Sequence, residues 1–422
     1  MEVTLRKAQG IDLSIMAPPS KSFTHRALVA AALARGPSTI LDPLVSGDTT
    51  ITATALRSLG VPLVWEEGAV RITGVDSRFP TKEETLLDLG DSGTSMRFFA
   101  ALALLAENPV VLQGSPRMHD RPIGPLVTAL REVGGEVRYL GKEGYPPLRV
   151  AGALRGGDVV VDGSISSQFI SALLMAAPCG ESDLSLTVSP PPVSRSYLDL
   201  TAGVMSAFGA PPGRKGYTRF FVKGGTGYRG RTYRIEGDFS SASYFLAMGA
   251  VCGGQVRVGN LNRKSPQGDR RFPDILEAMG CQVQWDSGGL LLESEGSLSG
   301  VDVEMSESPD TVQTLCAVAA FARSPTRISG IAHLRHKESD RIQSTAGALR
   351  SLGGDVRVGE DDVTIHPRPL HGGVIDPEGD HRTVMAFTVV GLGAGGVAIR
   401  DADCVSKSYP QFWDHLREAG LL

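Results

Sequence analysis

The strongest constraint on this chain is an internal repeat that runs from one end to the other. A polar stretch marked by glycine or serine opens an alanine-rich, apolar segment with helical periodicity, and this pattern returns at intervals of roughly 70 residues. The openings start at Pro18, Gly90, Gly163, Gly237, Ser308 and Gly379. Between them, a helix end runs into a glycine and then into an extended segment, as in SLGVPLVW from Ser58. The repeated unit predicts an α/β (α+β) fold built of βαβαββ repeats.

The repeat also predicts the domain organisation. Three copies lie on each side of about Gly237, so we expect two similar domains of three units each. The glycine-rich, basic residues 223–231 before that point form either a surface hairpin or a domain crossover. Residues 1–17 alternate polar and apolar side chains, as short strands do, and we expect them to pair with the C-terminal half. The predicted domains are therefore residues 18–237, and residues 1–17 together with 238–422.

The composition narrows the class of partner. The formal net charge is -4 and the basic residues are interspersed with acidic ones, which argues against a nucleic-acid surface and favours small-molecule partners. Five cysteines lie far apart, without disulfide or zinc spacing, so we expect a reducing compartment. The N-terminus lacks the apolar core of a signal peptide, and no apolar run approaches the ~18 residues of a membrane span. We expect a cytoplasmic protein that needs no membrane.

The first opening places a cluster of polar and basic side chains at the start of a helix. Lys21, Ser22 and Arg26 follow two prolines in PPSKSFTHR. The free N–H groups and the positive dipole end of a helix N-terminus favour an anion there. The alternative is an ordinary capped helix with a solvated basic face. The stiff double proline and the related openings elsewhere favour anion binding.

Two further segments in the first half carry candidate ligand groups. Asp91 to Thr94 reads as a helix N-cap, but Gly93 would let a ligand approach the backbone closely. Arg121, which precedes Pro122, has the planar fork that suits carboxylate and phosphate, although an isolated arginine is more often a surface residue. Each segment is ambiguous when it is taken alone.

The third repeat offers Ser166, Ser167 and Gln168 at a helix start. Two hydroxyls and an amide suit a phosphate or a polyhydroxylated ring, and they equally suit a capping run. Ser194 and Tyr197, further along the same repeat, are weaker signals by themselves.

The acid and base candidates lie in the second half. Asp310 opens a helix after Pro309, where an acidic N-cap is the default interpretation. In HKESDR we place Lys337 and Arg341 four residues apart on one helical face with Glu338 beside them, and the alternative is a salt-bridged exposed face. Lys407 follows near the C-terminus. A chain with a cation at so many repeat openings is predicted to assemble one site for a highly anionic ligand.

Nine motifs in order then give the chain a family resemblance. They are PPSKSFTHRAL, GDSGTSMRF, RMHDRPIGPL, DGSISSQFISALLM, SRSYLDLT, GDFSSASYFL, HKESDRI, GDHRTVMAF and SKSYPQFW. From Lys21 to Phe412 they resemble the successive signatures of the 5-enolpyruvylshikimate-3-phosphate (EPSP) synthase family. The resemblance implies an enolpyruvyl transferase fold with two domains of three βαβαββ units, which close over an interdomain cleft. It also implies a shikimate-pathway enzyme that transfers the enolpyruvyl group of phosphoenolpyruvate to the 5-hydroxyl of shikimate 3-phosphate and needs no metal or other cofactor. We expect a monomer.

The resemblance assigns a set of residues to each substrate. Those for shikimate 3-phosphate are Lys21, Ser22, Arg26, Ser166, Ser167, Gln168, Ser194, Tyr197, Asp310, His333 and Lys337. Those for phosphoenolpyruvate are Lys21, Asp91, Gly93, Arg121, Gln168, Arg341, His381, Arg382 and Lys407. Asp91 and His333 stand where many relatives have asparagine. Phe98 replaces a proline that is common in some bacterial relatives.

The resemblance also implies a catalytic set, which comprises Lys21, Asp310, Glu338 and Lys407. In this hypothesis Asp310 takes the proton of the 5-hydroxyl, and either Glu338 or Lys407 protonates the methylene carbon of phosphoenolpyruvate. The nearest rival is the related transferase that acts on a UDP-amino sugar. Such relatives usually carry a reactive cysteine in the loop of residues 117–121, which has none here. A non-catalytic repeat scaffold is the alternative from another class, and it has no need of these charged residues at separate helix openings.

Overall fold

The computed structural model describes every residue, Met1–Leu422. Its α-helices are α1 (Lys21–Leu33), α2 (Gly47–Ser58), α3 (Gly93–Leu102), α4 (Gly124–Glu132), α5 (Ser167–Ala176), α6 (Ser196–Ala207), α7 (Phe239–Cys252), α8 (Phe272–Ala278), α9 (Val312–Ala319), α10 (Arg341–Ser351), α11 (His381–Ala394) and α12 (Phe412–Glu418). Its first strands are β1 (Val3–Leu5), β2 (Ile11–Met16), β3 (Ala34–Arg35), β4 (Pro37–Leu41), β5 (Leu63–Glu66), β6 (Ala69–Thr73), β7 (Thr85–Asp88), β8 (Val110–Gln113), β9 (Gly135–Tyr139), β10 (Leu148–Gly152), β11 (Gly157–Val161), β12 (Leu184–Val188), β13 (Gly213–Lys215), β14 (Arg219–Val222), β15 (Tyr228–Arg229) and β16 (Thr232–Arg234). The remaining strands are β17 (Gly254–Gly259), β18 (Gln282–Asp286), β19 (Gly289–Ser294), β20 (Asp302–Glu304), β21 (Thr326–Ser329), β22 (Asp355–Val358), β23 (Asp362–His366), β24 (Gly373–Ile375) and β25 (Val397–Ile399).

One sheet topology recurs along the chain. The four-stranded sheets have the orders β16-β4-β6-β5, β7-β8-β10-β9, β11-β12-β14-β13, β2-β17-β19-β18 and β20-β21-β23-β22. In each, the first two strands are parallel and the other neighbours are antiparallel. A three-stranded sheet, β24-β25-β1, is a shortened version with the same parallel start. This recurrence is the structural form of the sequence repeat.

Strands from distant parts of the chain complete several of these sheets. β16 supplies the parallel edge strand for β4, which lies nearly two hundred residues earlier. β2 pairs in parallel with β17, and β1 pairs antiparallel with β25. The expected pairing of the N-terminal strands with the C-terminal half is therefore confirmed.

The chain divides into two compact units. Pro19–Ile235 form one, here called the inserted unit, and Met1–Pro18 with Glu236–Leu422 form the other, here called the terminal unit. Each unit has its own hydrophobic core. The inserted unit ends at Ile235, two residues before the expected boundary at Gly237. It ends there because β16 is its last paired strand.

Each core is organised around three apolar helices, α1, α3 and α5 in the inserted unit and α7, α9 and α11 in the terminal unit. Their sequences are largely apolar and their residues are buried on nearly every side, as in helices that other elements surround. In α9 every side chain is buried, and in α11 burial continues from His381 to Leu392. None of the helices combines the length and the hydropathy that crossing a membrane requires.

Candidate active site

The core helices of the inserted unit are accessible at one end only. In α1, α3 and α5 the residues that are not buried are Lys21, Ser22, Thr94 and Gln168, and all four lie in a first turn. A helix N-terminus carries unpaired backbone N–H groups and a partial positive charge. Polar groups of all three helices are thus presented where an anion binds most readily.

Lys21 is held at the start of α1 by an ion pair. Its Nζ lies 2.9 Å from Oδ2 of Asp48, which is in the first turn of α2, and both side chains are largely buried. The side chain of Ser20, the N-cap of α1, makes no capping hydrogen bond, and its Oγ is buried without a partner. Sequence reasoning missed Asp48, although it belongs to a Gly-Asp pair at a helix start like those at Gly90 and Gly379.

Arg26 lies one turn further into α1 and is buried. Its Nε donates to Thr201 Oγ1 at 2.8 Å, and its Nη atoms donate to the carbonyl oxygens of Ser22 at 2.9 Å and Tyr197 at 3.3 Å. The guanidinium also lies 5.4 Å from the ring centroid of Phe98. It forms no ion pair with a carboxylate, and burial lowers its pKa to about 10. Arg26 is therefore a desolvated cation that an anionic ligand could neutralise.

Gly93 and Arg121 are in direct contact. A Cβ atom at Gly93 would lie 2.4 Å from Nη2 and 2.7 Å from Nη1 of Arg121, so only glycine leaves the guanidinium in this position. Arg121 is buried, its Nη1 donates to the carbonyl oxygen of Asp91 at 3.3 Å, and its Nε has no partner. Like Arg26, it forms no ion pair with a carboxylate.

The neighbouring acid, Asp91, does not cap helix α3. Ser92 is the N-cap, and its Oγ accepts from the backbone N–H of Ser95. The Asp91 carboxylate instead accepts a hydrogen bond from Ser115 Oγ, in the loop that leads to Arg121. Asp91 therefore links the start of α3 to the arginine loop.

The starts of α3 and α5 meet through their polar side chains. Gln168 Nε2 donates to Thr94 Oγ1 at 3.2 Å, and Ser166 caps α5 by accepting from the Gln168 backbone N–H. Ser167 and Ser194 are buried, and Ser194 adopts a left-handed conformation with φ of 55° before α6. The structure thus places these predicted residues in the same unit as Arg26.

A buried chain of hydroxyls ties the first helices of this unit together. His25 Nδ1 lies 2.7 Å from Thr52 Oγ1, which lies 2.8 Å from Ser95 Oγ, and Ser95 Oγ lies 2.7 Å from Ser92 Oγ. Burial lowers the pKa of His25 to about 3, so the imidazole is neutral near pH 7. These hydrogen bonds join α1, α2 and α3 within their first two turns without adding charge.

The terminal unit contains a different arrangement, in which one arginine forms ion pairs with three carboxylates. The buried guanidinium of Arg341 lies 3.0 Å from Asp310, 2.8 Å from Glu338 and 2.8 Å from Asp380. Burial by itself would lower the Arg341 pKa, but the three carboxylates outweigh it and raise the pKa. Asp380 also caps α11 by accepting from the Arg382 backbone N–H, which fixes the cluster to the helix start.

Arg382 is a second cation in contact with Asp310. Its Nη2 lies 2.8 Å from Asp310 Oδ2, while its Nη1 donates to the Asp310 carbonyl oxygen and to Tyr244 Oη at 3.2 Å. Burial raises the pKa of Tyr244 to about 12, so the phenol keeps its proton. Asp310 is therefore an accessible carboxylate held between two guanidinium groups.

Glu338 contacts both Arg341 and Lys407, the other candidate proton donor. One of its oxygens lies 2.8 Å from Arg341 and the other lies 3.8 Å from Lys407 Nζ. The predicted helical pairing of Lys337 with Arg341 is wrong, because α10 begins only at Arg341 and Asp340 is its N-cap. Lys337 instead lies in the extended residue after the short 3-10 turn Ala332–His336.

Two predicted histidines are buried. His333 lies in that turn, and its burial, followed by the charge of Lys337, lowers its pKa to about 3. His381 is completely buried, and its Nδ1 lies 3.7 Å from Asp380 Oδ1. The resemblance assigned His381 and Arg382 at this helix start to phosphoenolpyruvate but gave no role to Asp380, which makes the ionic contacts. No group of three or more His, Cys, Asp or Glu side chains is placed to hold a metal ion.

Known proteins resemble the chain over its full length. A sequence model described as EPSP synthase (3-phosphoshikimate 1-carboxyvinyltransferase) matches residues 5–416. The 3-phosphoshikimate 1-carboxyvinyltransferase of Methanoculleus marisnigri is 55% identical over 422 residues, which is 100% of both chains. That of Methanoregula boonei is 53% identical over 416 residues, or 99% of each chain. An EPSP synthase structure from Acinetobacter baumannii matches with a TM-score of 0.83 at 27% identity, covering 100% of this chain and 98% of that one, and it confirms the predicted fold class.

We expect the replacement of Arg341 to lower the free energy of unfolding more than the replacement of an exposed arginine does. Replacing Arg341 with alanine leaves buried carboxylates without their cation and should lower the free energy of unfolding by about 3–5 kcal/mol. Arg327, which is half exposed and pairs with Asp362 at 2.7 Å, is the control. Its replacement by alanine should cost less than about 1 kcal/mol. Urea unfolding measures both, and equal losses would contradict the proposed dependence on Arg341.

Proposed function

Because the chain belongs to the EPSP synthase (3-phosphoshikimate 1-carboxyvinyltransferase) family, we propose that it transfers the enolpyruvyl group of phosphoenolpyruvate to the 5-hydroxyl of shikimate 3-phosphate. Inorganic phosphate is the second product. The observation that best supports this function is the presence of two buried arginines, Arg26 and Arg121, that have no carboxylate partner. Such cations are costly without an anion, and both substrates carry a phosphate and a carboxylate.

In this proposal shikimate 3-phosphate takes its contacts from polar side chains. Ser166, Ser167 and Gln168 supply hydroxyl and amide groups for its phosphate, and Arg26 with Ser22 supplies donors for its carboxylate. The remaining contacts that we propose for it are Lys21, Ser194, Tyr197, Asp310, His333 and Lys337. The open first turns of α1 and α5 support this assignment, because ligand atoms can reach them.

Phosphoenolpyruvate, in the same proposal, is held chiefly by guanidinium groups. Arg121 presents its Nη atoms beside Gly93, where the absent Cβ leaves room. Arg341 and Arg382 are currently neutralised by Asp310 and neighbouring acids, and an incoming phosphate or carboxylate would share those donors. The remaining contacts that we propose are Lys21, Asp91, Gln168, His381 and Lys407.

The reaction then proceeds by addition and elimination. Asp310 accepts the proton of the 5-hydroxyl while that oxygen bonds to C2 of phosphoenolpyruvate, and Glu338 or Lys407 gives a proton to the methylene carbon. In the tetrahedral intermediate the C2 to phosphate-oxygen bond breaks, phosphate leaves with the bonding electron pair, and the methyl group returns one proton. Lys21, Arg121, Arg341 and Arg382 stabilise the negative charges and hold the reactants together.

We also propose that the enzyme acts as a monomer in the cytoplasm. All five cysteines are free thiols, as is usual for proteins in a reducing compartment. Light scattering of the purified chain and fractionation of cells would test these two points.

The first test is an assay of phosphate release from the purified protein. We expect release that requires shikimate 3-phosphate and phosphoenolpyruvate together, with neither substrate sufficient alone. A parallel assay with the chelator EDTA should leave the rate unchanged, since the proposed residues supply the charge. If the folded protein releases no phosphate, a UDP-amino sugar should replace shikimate 3-phosphate as acceptor in the next assay.

Removal of the proposed base should abolish turnover without unfolding the protein. The Asp310→Asn variant keeps the shape of the side chain but cannot take up a proton at neutral pH, so kcat should fall by at least about 100-fold. Glu304→Gln, an exposed acid in β20 of the same unit, serves as the control. The measurement is kcat at saturating substrates beside circular dichroism, and near-normal turnover in Asp310→Asn would remove Asp310 from the base role.

The contact between Gly93 and Arg121 predicts a selective loss of affinity. In Gly93→Ala the new methyl group must displace the Arg121 guanidinium, and the loss of a charge-assisted contact of about 1.5–3 kcal/mol should raise the KM for phosphoenolpyruvate about tenfold or more. The KM for shikimate 3-phosphate should change far less. Gly203→Ala, on the exposed face of α6 with no atom within 4 Å of its Cβ, is the matched control. Equal KM values for Gly93→Ala and Gly203→Ala would argue against the contact.

A further inference from the structure

A buried carboxyl group lies beneath the proposed base in the terminal unit. Asp269 belongs to the 3-10 turn Gly268–Arg271, and its side chain is buried. Ser240 Oγ, in the first turn of α7, donates to one carboxyl oxygen, and Thr311 Oγ1 lies 3.4 Å from the other. No lysine or arginine forms an ion pair with Asp269. This contrasts with Asp310, the residue before Thr311, which lies between two guanidinium groups.

Asp269 also contacts the turn that carries Asp310. Thr311 Oγ1 can donate its one hydrogen either to Asp269 Oδ1 at 3.4 Å or to the Ser308 carbonyl oxygen at 3.1 Å. The same two turns are joined again where Ser308 Oγ donates to the Gly268 carbonyl oxygen at 2.7 Å.

The surroundings of Asp269 favour its neutral form. Burial is the main influence on Asp269, and together with the Asp310 charge it raises the pKa from 3.8 to about 7. The Asp238 carboxylate at the start of α7 also raises it, whereas the Ser240 hydrogen bond and the Arg382 charge on α11 lower it. On its own turn Arg270 and Arg271 make no ion pair with Asp269. Burial and the neighbouring carboxylates thus favour the neutral form of Asp269.

We propose that Asp269 is a positioning residue for Asp310, which in its neutral form contacts Ser240 and Thr311 and so holds the turn Pro309–Thr311. This inference rests on the proposed function, in which Asp310 is the base. When Asp269 ionises, it adds a negative charge near Arg382. This charge disfavours phosphoenolpyruvate, because the substrate is an anion that needs that arginine.

The first test measures stability and requires no substrate. A carboxyl group whose pKa is higher in the folded than in the unfolded state stabilises the fold at low pH, and this contribution is lost as the pH rises from 3.8 towards about 7. The difference in urea midpoint between the wild type and Asp269→Asn should therefore decline across this range. Asp274→Asn, an exposed acid in the first turn of α8, should show no such trend. A pH-independent difference for Asp269→Asn would overturn the inference.

The second test measures the KM for phosphoenolpyruvate between about pH 6 and about pH 8.5. Relative to Asp269→Asn, the wild type should lose about tenfold in affinity across this range, the equivalent of one pKa unit of interaction. Asp274→Asn should follow the wild type. Asp269→Ala, which cannot form the contacts with Ser240 and Thr311, should have a lower kcat than Asp269→Asn at every pH. Parallel KM profiles in the wild type and Asp269→Asn would overturn the positioning role, whereas failure of the proposed function would appear as no phosphate release from the wild type at any pH.

Discussion

The burial of three apolar helices at the centre of each unit decides where this protein can carry polar chemistry. Their sides face other elements of the core, so charged side chains along them would be desolvated without compensation. In α1, α3 and α5 the accessible residues are therefore confined to the first turns. The same ends carry unpaired N–H groups, and this coincidence makes each helix start a potential anion site.

The two units use these helix starts in different ways. In the inserted unit Arg26 and Arg121 are buried and have no carboxylate partner. In the terminal unit Arg341 and Arg382 are neutralised by Asp310 and its neighbours. The first arrangement is suited to binding an anion. The second can hold a base in its charged form and still offer guanidinium donors to a substrate.

Several buried titratable groups near these arginine clusters are neutral. Burial lowers the pKa of His25 and His333 to about 3, so neither adds positive charge near pH 7. The raised pKa of Asp269 likewise removes a negative charge from the vicinity of Arg382 below about pH 7. The charge of both clusters at moderate pH therefore comes from lysine, arginine and the few carboxylates in contact with them.

Much of the fold and many of the candidate residues followed from the sequence alone, because they depend on local patterns. Spacing of the repeat openings predicted the α/β fold class, and polar residues before apolar runs predicted the helix starts at Lys21, Gly93 and Ser167. Local patterning failed at HKESDR, where Asp340 caps a helix that begins one residue later. The motif could be recognised in the sequence, but the residue at which the helix begins depended on the Asp340 cap.

Only the tertiary structure decided which side chains contact one another. Lys21 pairs with Asp48, Arg341 with Asp380, and Asp269 with Ser240 and Thr311, and each pair joins different elements of the chain. A sequence specifies which side chains have charge or hydrogen-bonding groups, but long-range contacts depend on how the sheets close, as when β16 returns to β4. The protonation of Asp269 depends further on burial, which is a property of the folded chain and of no single segment.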